Sequence, residues 1–208
     1  MDMVQELGAV SADIILFLAA LHAFFRLFKD HRAPSVGFLL ITVSSALTLL
    51  PLPGTAVSLA QKDLRWAGEA LCPALLGFGF LWFSEDHLTA CVLLIGSSVL
   101  PTLADWLSED VLVIMTRCQA LSALSCSLTV CLFAANGTGV LVSVALSLPA
   151  LVAPRAVGSS AASLGASQTV GGLLEWVLKV VMAAGCWTTQ RALDTFLQDL
   201  KQWDTDVG

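Results

Sequence analysis

The stretch PALLGFGFLWFSEDHLTACVLLIGSSVL, Pro73–Leu100, decides the fold. From Pro73 to Phe83 it carries no charge, and from Leu88 to Leu100 it again holds no Asp, Glu, Lys, Arg or His. Between the two runs stands Ser84-Glu85-Asp86, a tight acidic break. Ser84 can cap a second helix, with acids in its first turn where the helix dipole favours them. Followed outward to the next polar boundary, the two runs become spans of residues 64–83 and 87–106. Each approaches the roughly 20 apolar residues needed to cross about 30 Å of hydrocarbon.

Further outward the same pattern recurs. Ser108-Glu109-Asp110 repeats the acidic signal before a span of residues 111–134. Asn136-Gly137-Thr138-Gly139 is a turn, followed by a span of 138–154. On the other side, residues 8–28 and 34–51 form two spans around the basic turn Lys29-Asp30-His31-Arg32, with Pro34 suited to a helix start. Pro51-Leu52-Pro53-Gly54 breaks the second of these. A polar link, 55–63, leads into the third span. A Ser/Gly/Ala-rich segment, 155–169, precedes a last span of 170–190. The reading is an all-α, polytopic transmembrane helical bundle of about seven spans over residues 1–190, with an amphipathic tail at 191–208. Six spans, with 34–51 or 138–154 re-entrant, is the alternative.

Composition agrees with lipid as the solvent. Of 208 residues 57% are hydrophobic and 12% charged, with a mean hydropathy of +0.83. Soluble domains carry about 25% charged residues, so half the usual water-facing charge is missing. The net charge of -6 speaks against nucleic acid and against a polybasic lipid-binding surface. Six cysteines lie in apolar stretches without a CxxC pair and read as small hydrophobes. Tyrosine is absent, leaving Trp66, Trp82, Trp106 and Trp187 as the interfacial belt. The acidic start, with Asp2, Glu6 and Asp13, is unlike a secretory signal.

Charge inside the spans is the informative feature, because an ionisable group in hydrocarbon costs several kcal/mol. The candidates are Asp13, Glu69, Asp105, Arg117, Glu175 and Lys179. Asp13, Glu69, Arg117 and Glu175 each lie about five or six residues into an odd-numbered span, roughly 8–9 Å deep on the side of the N-terminus. Asp105 ends an even span on that side, and Lys179 is one turn below Glu175. All six therefore form one polar layer if the number of spans is odd. Glu175 and Lys179 are spaced to pair within one helix. Arg117 is then expected to meet Glu69, Asp13 or Asp105. Three uses of the layer stand open: structural ion pairs that fix helix packing, a vestibule for a cation or small solute, and an enzyme site using carboxylates as acid and base.

Other chemistry is poorly supplied. His22, His31 and His87 lack the HxxxH or HxxxD spacing of a metal site, and no GxSxG, P-loop, GxGxxG or HExxH is present. No metal and no cofactor are expected. Asn136-Gly137-Thr138 matches a glycosylation acceptor but reads as a plain turn. Small residues such as Gly77, Gly79, Ala120, Ala123, Ser127 and Ala183 favour close helix packing.

Lys and Arg near the span ends number five on the side of the first loop and C-terminus (Arg26, Lys29, Arg32, Arg191, Lys201) against three opposite (Lys62, Arg65, Arg155). This places the N-terminus outside the cytosol and the C-terminus within it. Short spans lean toward the thin membranes of the endoplasmic reticulum and other endomembranes. Leu193, Phe196, Leu197, Leu200 and Trp203 form an apolar stripe on a tail helix, suited to the membrane surface or to a cytosolic partner.

Four segments taken in order, VGFLLITVSSALTLLP (36–51), PALLGFGFLWFSEDHLTACVLLIGSSVL (73–100), LFAANGTGVLV (132–142) and AAGCWTTQRAL (183–193), resemble the transmembrane protein 276 family. The resemblance implies a small multi-pass membrane protein without an established activity, and it transfers no catalytic residue. The expected function is a non-enzymatic accessory protein that packs with other membrane proteins. A small channel or transporter and an intramembrane lipid-modifying enzyme are the alternatives.

Overall fold

The computed structural model describes residues 2–30, 32–50, 55–104, 106–152 and 168–207. Among them every regular element is a helix: α1 Asp2–Asp30, α2 Arg32–Leu49, α3 Thr55–Phe83, α4 His87–Leu103, α5 Glu109–Phe133, α6 Gly137–Val152 and α7 Gln168–Val207. Three segments are long and apolar enough to cross a membrane: Val10–Lys29, Gln61–Phe83 and Glu109–Phe133. Ala33–Leu49, His87–Leu103 and Gly137–Val152 are shorter apolar helices.

Helix α3 is the hub, packed on α2, α4, α5 and α6, while α7 lies between α1 and α6. One apolar core joins Leu16, Ala20 and Leu27 of α1, Phe38 and Ile41 of α2, Leu76 and Phe80 of α3, Leu146 of α6, and Met182, Leu193 and Phe196 of α7. Phe80 meets Phe196 edge-on, with ring centroids 5.4 Å apart. The outer helix α4 shows the opposite pattern. Leu88, Val92, Ile95, Val99 and Leu103 recur at three- and four-residue steps and are all exposed. An apolar stripe on the outside is what hydrocarbon, not water, solvates.

The two turns that frame α4 and α6 share one construction. Glu85 and Ala135 both adopt positive φ, 65° and 51°, and the next residue's N–H reaches back to a carbonyl five residues earlier (Asp86 to Leu81, Asn136 to Cys131). This is the left-handed helix ending that usually takes Gly. The cap of α4 differs from the expectation. Asp86, not Ser84, accepts the Thr89 N–H at 3.2 Å, and Ser84 Oγ donates back to Leu81 O. The hydrogen bonds from Thr89 hold the Asp86 carboxyl below the usual carboxylate range. Ser108 stands at the N-cap of α5 without a side-chain bond, and Glu109 and Asp110 occupy its first turn.

Three further expectations change. Residues 55–63, read as a link, are the first turns of α3. Gln61, in that stretch, donates to Thr48 Oγ1 of α2 at 3.0 Å, while Lys62 is exposed. The tail is not a separate surface helix. It continues α7 without a break to Val207, and Ala192, Leu193 and Phe196 are buried in the main core. Trp66 is buried against Leu100 and Leu112, while Trp82, Trp106 and Trp187 are exposed as a belt requires. His31, the turn at 51–54, the basic side chain of Arg155 and most of the 155–169 segment lie outside the described residues, as do the side chains of Leu200 and Trp203. The six cysteines are free; Cys72, Cys131 and Cys186 are buried.

Candidate functional site

Helical register forces two opposite charges into the core. On α1, Ala12, Leu16, Ala19, Ala20 and Ala23 form the buried face, and Asp13 lies on it, 7% exposed. On α7, Leu178, Met182, Ala183 and Cys186 form the buried face, and Lys179 lies on it, also 7% exposed. Either charge alone would be strongly destabilising there. They meet at 2.8 Å, Lys179 Nζ to Asp13 Oδ1.

The contact continues outward as an alternating chain. Lys179 Nζ also lies 3.3 Å from Glu175 Oε1, one turn back on α7. Arg65 Nη2 of α3 reaches the same Glu175 oxygen at 3.1 Å, and Arg65 Nε donates to Glu69 Oε1 at 2.9 Å. Five groups on three helices thus run Asp13, Lys179, Glu175, Arg65, Glu69, acid and base by turns. Asp13 and Lys179 at one end are buried, and the chain opens to the outside at its middle member, Glu175, whose side chain is 55% exposed. Beside the chain, Asp13, Arg65 and Glu69 share a small cavity with Leu16 and with Ile41, Ser44, Ser45 and Thr48 of α2. It has room for about one water molecule.

Of the six residues singled out in the sequence, this brings together Asp13, Glu69, Glu175 and Lys179. Asp105 lies outside the described residues. Arg117 is exposed on α5 and meets neither Asp13 nor Glu69; Arg65 takes that part instead. With the third span begun at 64, Arg65 counts only among the Lys and Arg near the span ends. Once α3 is seen to start at Thr55, Arg65 lies well inside the helix. Its place four residues before Glu69 was the available signal. Ser44, Ser45 and Thr48 were missed because hydroxyls are ordinary in apolar helices, where they bond back to the preceding turn.

A second polar contact lies away from the charges. Asn136, read as a turn residue, is 2% exposed. Its Oδ1 accepts from Gly139 N at 2.9 Å and Thr138 Oγ1 at 2.7 Å, capping α6. Its Nδ2 donates to Ala192 O of α7 at 2.8 Å. The amide nitrogen of this potential glycan acceptor is thus engaged inside the fold. Gly139 completes the contact. A Cβ there would stand 2.6 Å from Cys131 Sγ and 3.3 Å from Asn136 Cγ. Gly139→Ala is therefore expected to cost about 1–3 kcal/mol through overpacking, whereas Gly96→Ala, at a site open to 4 Å, should not destabilise. Thermal unfolding of the two purified variants in detergent would separate them.

The comparisons with known proteins follow the same outline. No family model matches the chain, and no solved structure matches it. Transmembrane protein 276 of Mus musculus is 27% identical over 190 residues, 91% of this chain and 93% of that protein. Transmembrane protein 276 of Rattus norvegicus is 26% identical over 191 residues, 92% of this chain and 94% of its own length. The resemblance carried by four segments of sequence therefore extends over nine-tenths of both chains: this is a helical membrane protein similar to transmembrane protein 276 of mouse and rat.

Proposed function

We propose that the chain is a seven-span, non-enzymatic accessory protein that packs with other membrane proteins, with its N-terminus outside the cytosol and its C-terminus in the cytosol of an endomembrane compartment. The observation that carries this reading is the pairing of the charged groups with one another. Asp13, Glu69 and Glu175 are each held by Lys179 or Arg65 across three helices. Carboxylates placed this way stitch α1, α3 and α7 into one body. The names of the mouse and rat relatives support residence in the membrane. Small residues on the outward side of α5, Ser122 and Ser125, are of the kind that let a second helix approach closely in lipid.

A photo-crosslinking residue at Leu121 on that side is the test, with the full chain expressed in native membranes. The expected result is a discrete adduct with another membrane protein. Adducts to lipid alone would overturn the accessory role. So would a solute flux in proteoliposomes that Glu69→Gln abolishes.

A further inference from the structure

Arg117 is the charge that the bundle does not use. Asp13, Glu69, Glu175 and Lys179 pair with one another or with Arg65. Arg117 is exposed on α5, and among the described residues no carboxylate lies within ion-pair distance of it. Yet it stands at the same height as the others. Asp13, Glu69 and Arg117 each lie about four to five turns before the end of their helix, at Asp30, Phe83 and Phe133. The bond from Gln119 Nε2 to Ala70 O, 3.2 Å, fixes this level, because it sets α5 beside the turn of α3 that carries Glu69. On α1 and α3 the charge at this height finds its partner inside the fold; on α5 it faces away from it.

The face that carries Arg117 is open. Helix α5 packs on α3, α4 and α6 through Leu112, Thr116, Ala120, Ala123 and Ser127. The opposite side holds Ile114, Cys118, Leu121 and Ser125, at three- and four-residue steps and all exposed. Arg117 stands at its edge, one turn before Leu121. Apolar residues on this side need only lipid. A guanidinium in hydrocarbon needs an anion.

Depth decides which anion. Trp106, exposed just before α5, and the exposed Glu109 and Asp110 in its first turn mark the membrane boundary there. Arg117 lies eight residues below Glu109, so its Cα is about 12 Å down in a leaflet about 15 Å deep. A snorkelling side chain recovers roughly 6–7 Å of that, which leaves the guanidinium about 5 Å inside the hydrocarbon. Lipid phosphates lie beyond the boundary, out of its reach. A carboxylate on a neighbouring helix at the same depth meets it directly, and the small side chains of Cys118 and Ser125 let that helix approach.

We propose that the outward face of α5 at Arg117 docks a transmembrane helix of another protein that carries an Asp or Glu at this depth. The inference rests on the accessory role and names the chemistry of its partner at the Leu121 face. A second copy of this chain lacks the requirement. Its carboxylates at that depth, Asp13, Glu69 and Glu175, are held by Lys179 and Arg65, and two copies meeting symmetrically through α5 would set Arg117 against Arg117.

The probe is a synthetic single-span Leu/Ala helix with one Asp eight residues from its end. Its association with the full chain, labelled at the C-terminus, is read by energy transfer in phosphatidylcholine vesicles at pH 7.5. The Asp helix should associate about tenfold more strongly than the same helix without Asp, as polar contacts between helices in lipid provide. Arg117→Gln should abolish that preference, and Arg117→Lys should keep part of it. Arg117→Gln should also leave the Tm of the purified chain unchanged. A Tm that falls would place the partner of Arg117 within the chain and overturn the proposal. So would equal association of the two helices, a preference that survives Arg117→Gln, or one that disappears when phosphatidylglycerol replaces a third of the lipid, which would assign the guanidinium to a headgroup. The crosslinker at Leu121 in native membranes separates this from the accessory role. A protein adduct that Arg117→Gln leaves intact keeps the role and overturns the acidic partner. Adducts to lipid alone, beside a tenfold preference for the Asp helix in vesicles, support the docking chemistry and overturn the role.

Discussion

Lys179→Ala is expected to destabilise the folded chain by about 3–5 kcal/mol, the cost of stranding a buried charge by removing its partner. Lys179 and Asp13 are both 7% exposed and 2.8 Å apart. The remaining cation, Arg65, is already shared between Glu69 and Glu175. Asp13 would then face the core with no cation of its own, on a helix face otherwise made of Ala and Leu. For a chain of this size the loss corresponds to a fall of about 6–20 °C in Tm. Thermal unfolding in detergent, followed by tryptophan fluorescence, measures it. Adding Asp13→Asn to Lys179→Ala should restore part of the loss, because the orphaned charge disappears. A single variant within about 1 kcal/mol of the parent, or a double variant no more stable than the single, would show that this pair does not hold α1 against α7.

Asn136→Ala is expected to cost about 1.5–2.5 kcal/mol. Two losses combine. The N-cap of α6 contributes about 1 kcal/mol, and the lost bond to the Ala192 carbonyl, which lies inside helix α7, adds about 0.5–1.5 kcal/mol. Asn136→Asp divides them. The carboxylate can still accept from Gly139 N and Thr138, but it cannot donate to Ala192 O and sets negative charge against a carbonyl oxygen. If the bond across to α7 dominates, Asp is as damaging as Ala; if the cap dominates, Asp retains most of the stability. Equal stability of all three proteins would remove Asn136 from the structural account. The same side chain should remain without a glycan in the folded protein, since its amide nitrogen already donates at 2.8 Å inside the fold.

Much of this was legible in the residues. The apolar run broken at Ser84-Glu85-Asp86 specified a helical hairpin, and α3 ends and α4 begins on either side of that break. The spacing of Glu175 and Lys179 specified their pairing, since four residues on a helix make neighbours whatever surrounds them. Asp13 announced itself by being costly in an apolar segment. What escaped has a common cause. Arg65 and Gln61 stood near a presumed helix start, where polar side chains ordinarily meet solvent. Their partners, Glu175 and Thr48, come from other helices. Asn136 looked like a turn residue because its local bonds are those of a turn. Its bond to Ala192 spans 56 positions of sequence.

By itself, then, the sequence determined the class of protein, the helices and the identity of most of the charges that a membrane interior cannot leave alone. Those are local properties, set by hydropathy over one helix length and by spacing over one turn. Tertiary structure decided which charges meet. It brought α1, α3 and α7 together so that Asp13 finds Lys179 and Arg65 bridges Glu69 to Glu175. It also left Arg117 exposed on α5 and drew the start of the tail into the core. The physical reason is that an ion pair across helices depends on distances of a few ångström between segments far apart in the chain. Those distances are set by how the apolar faces pack, which no single helix contains.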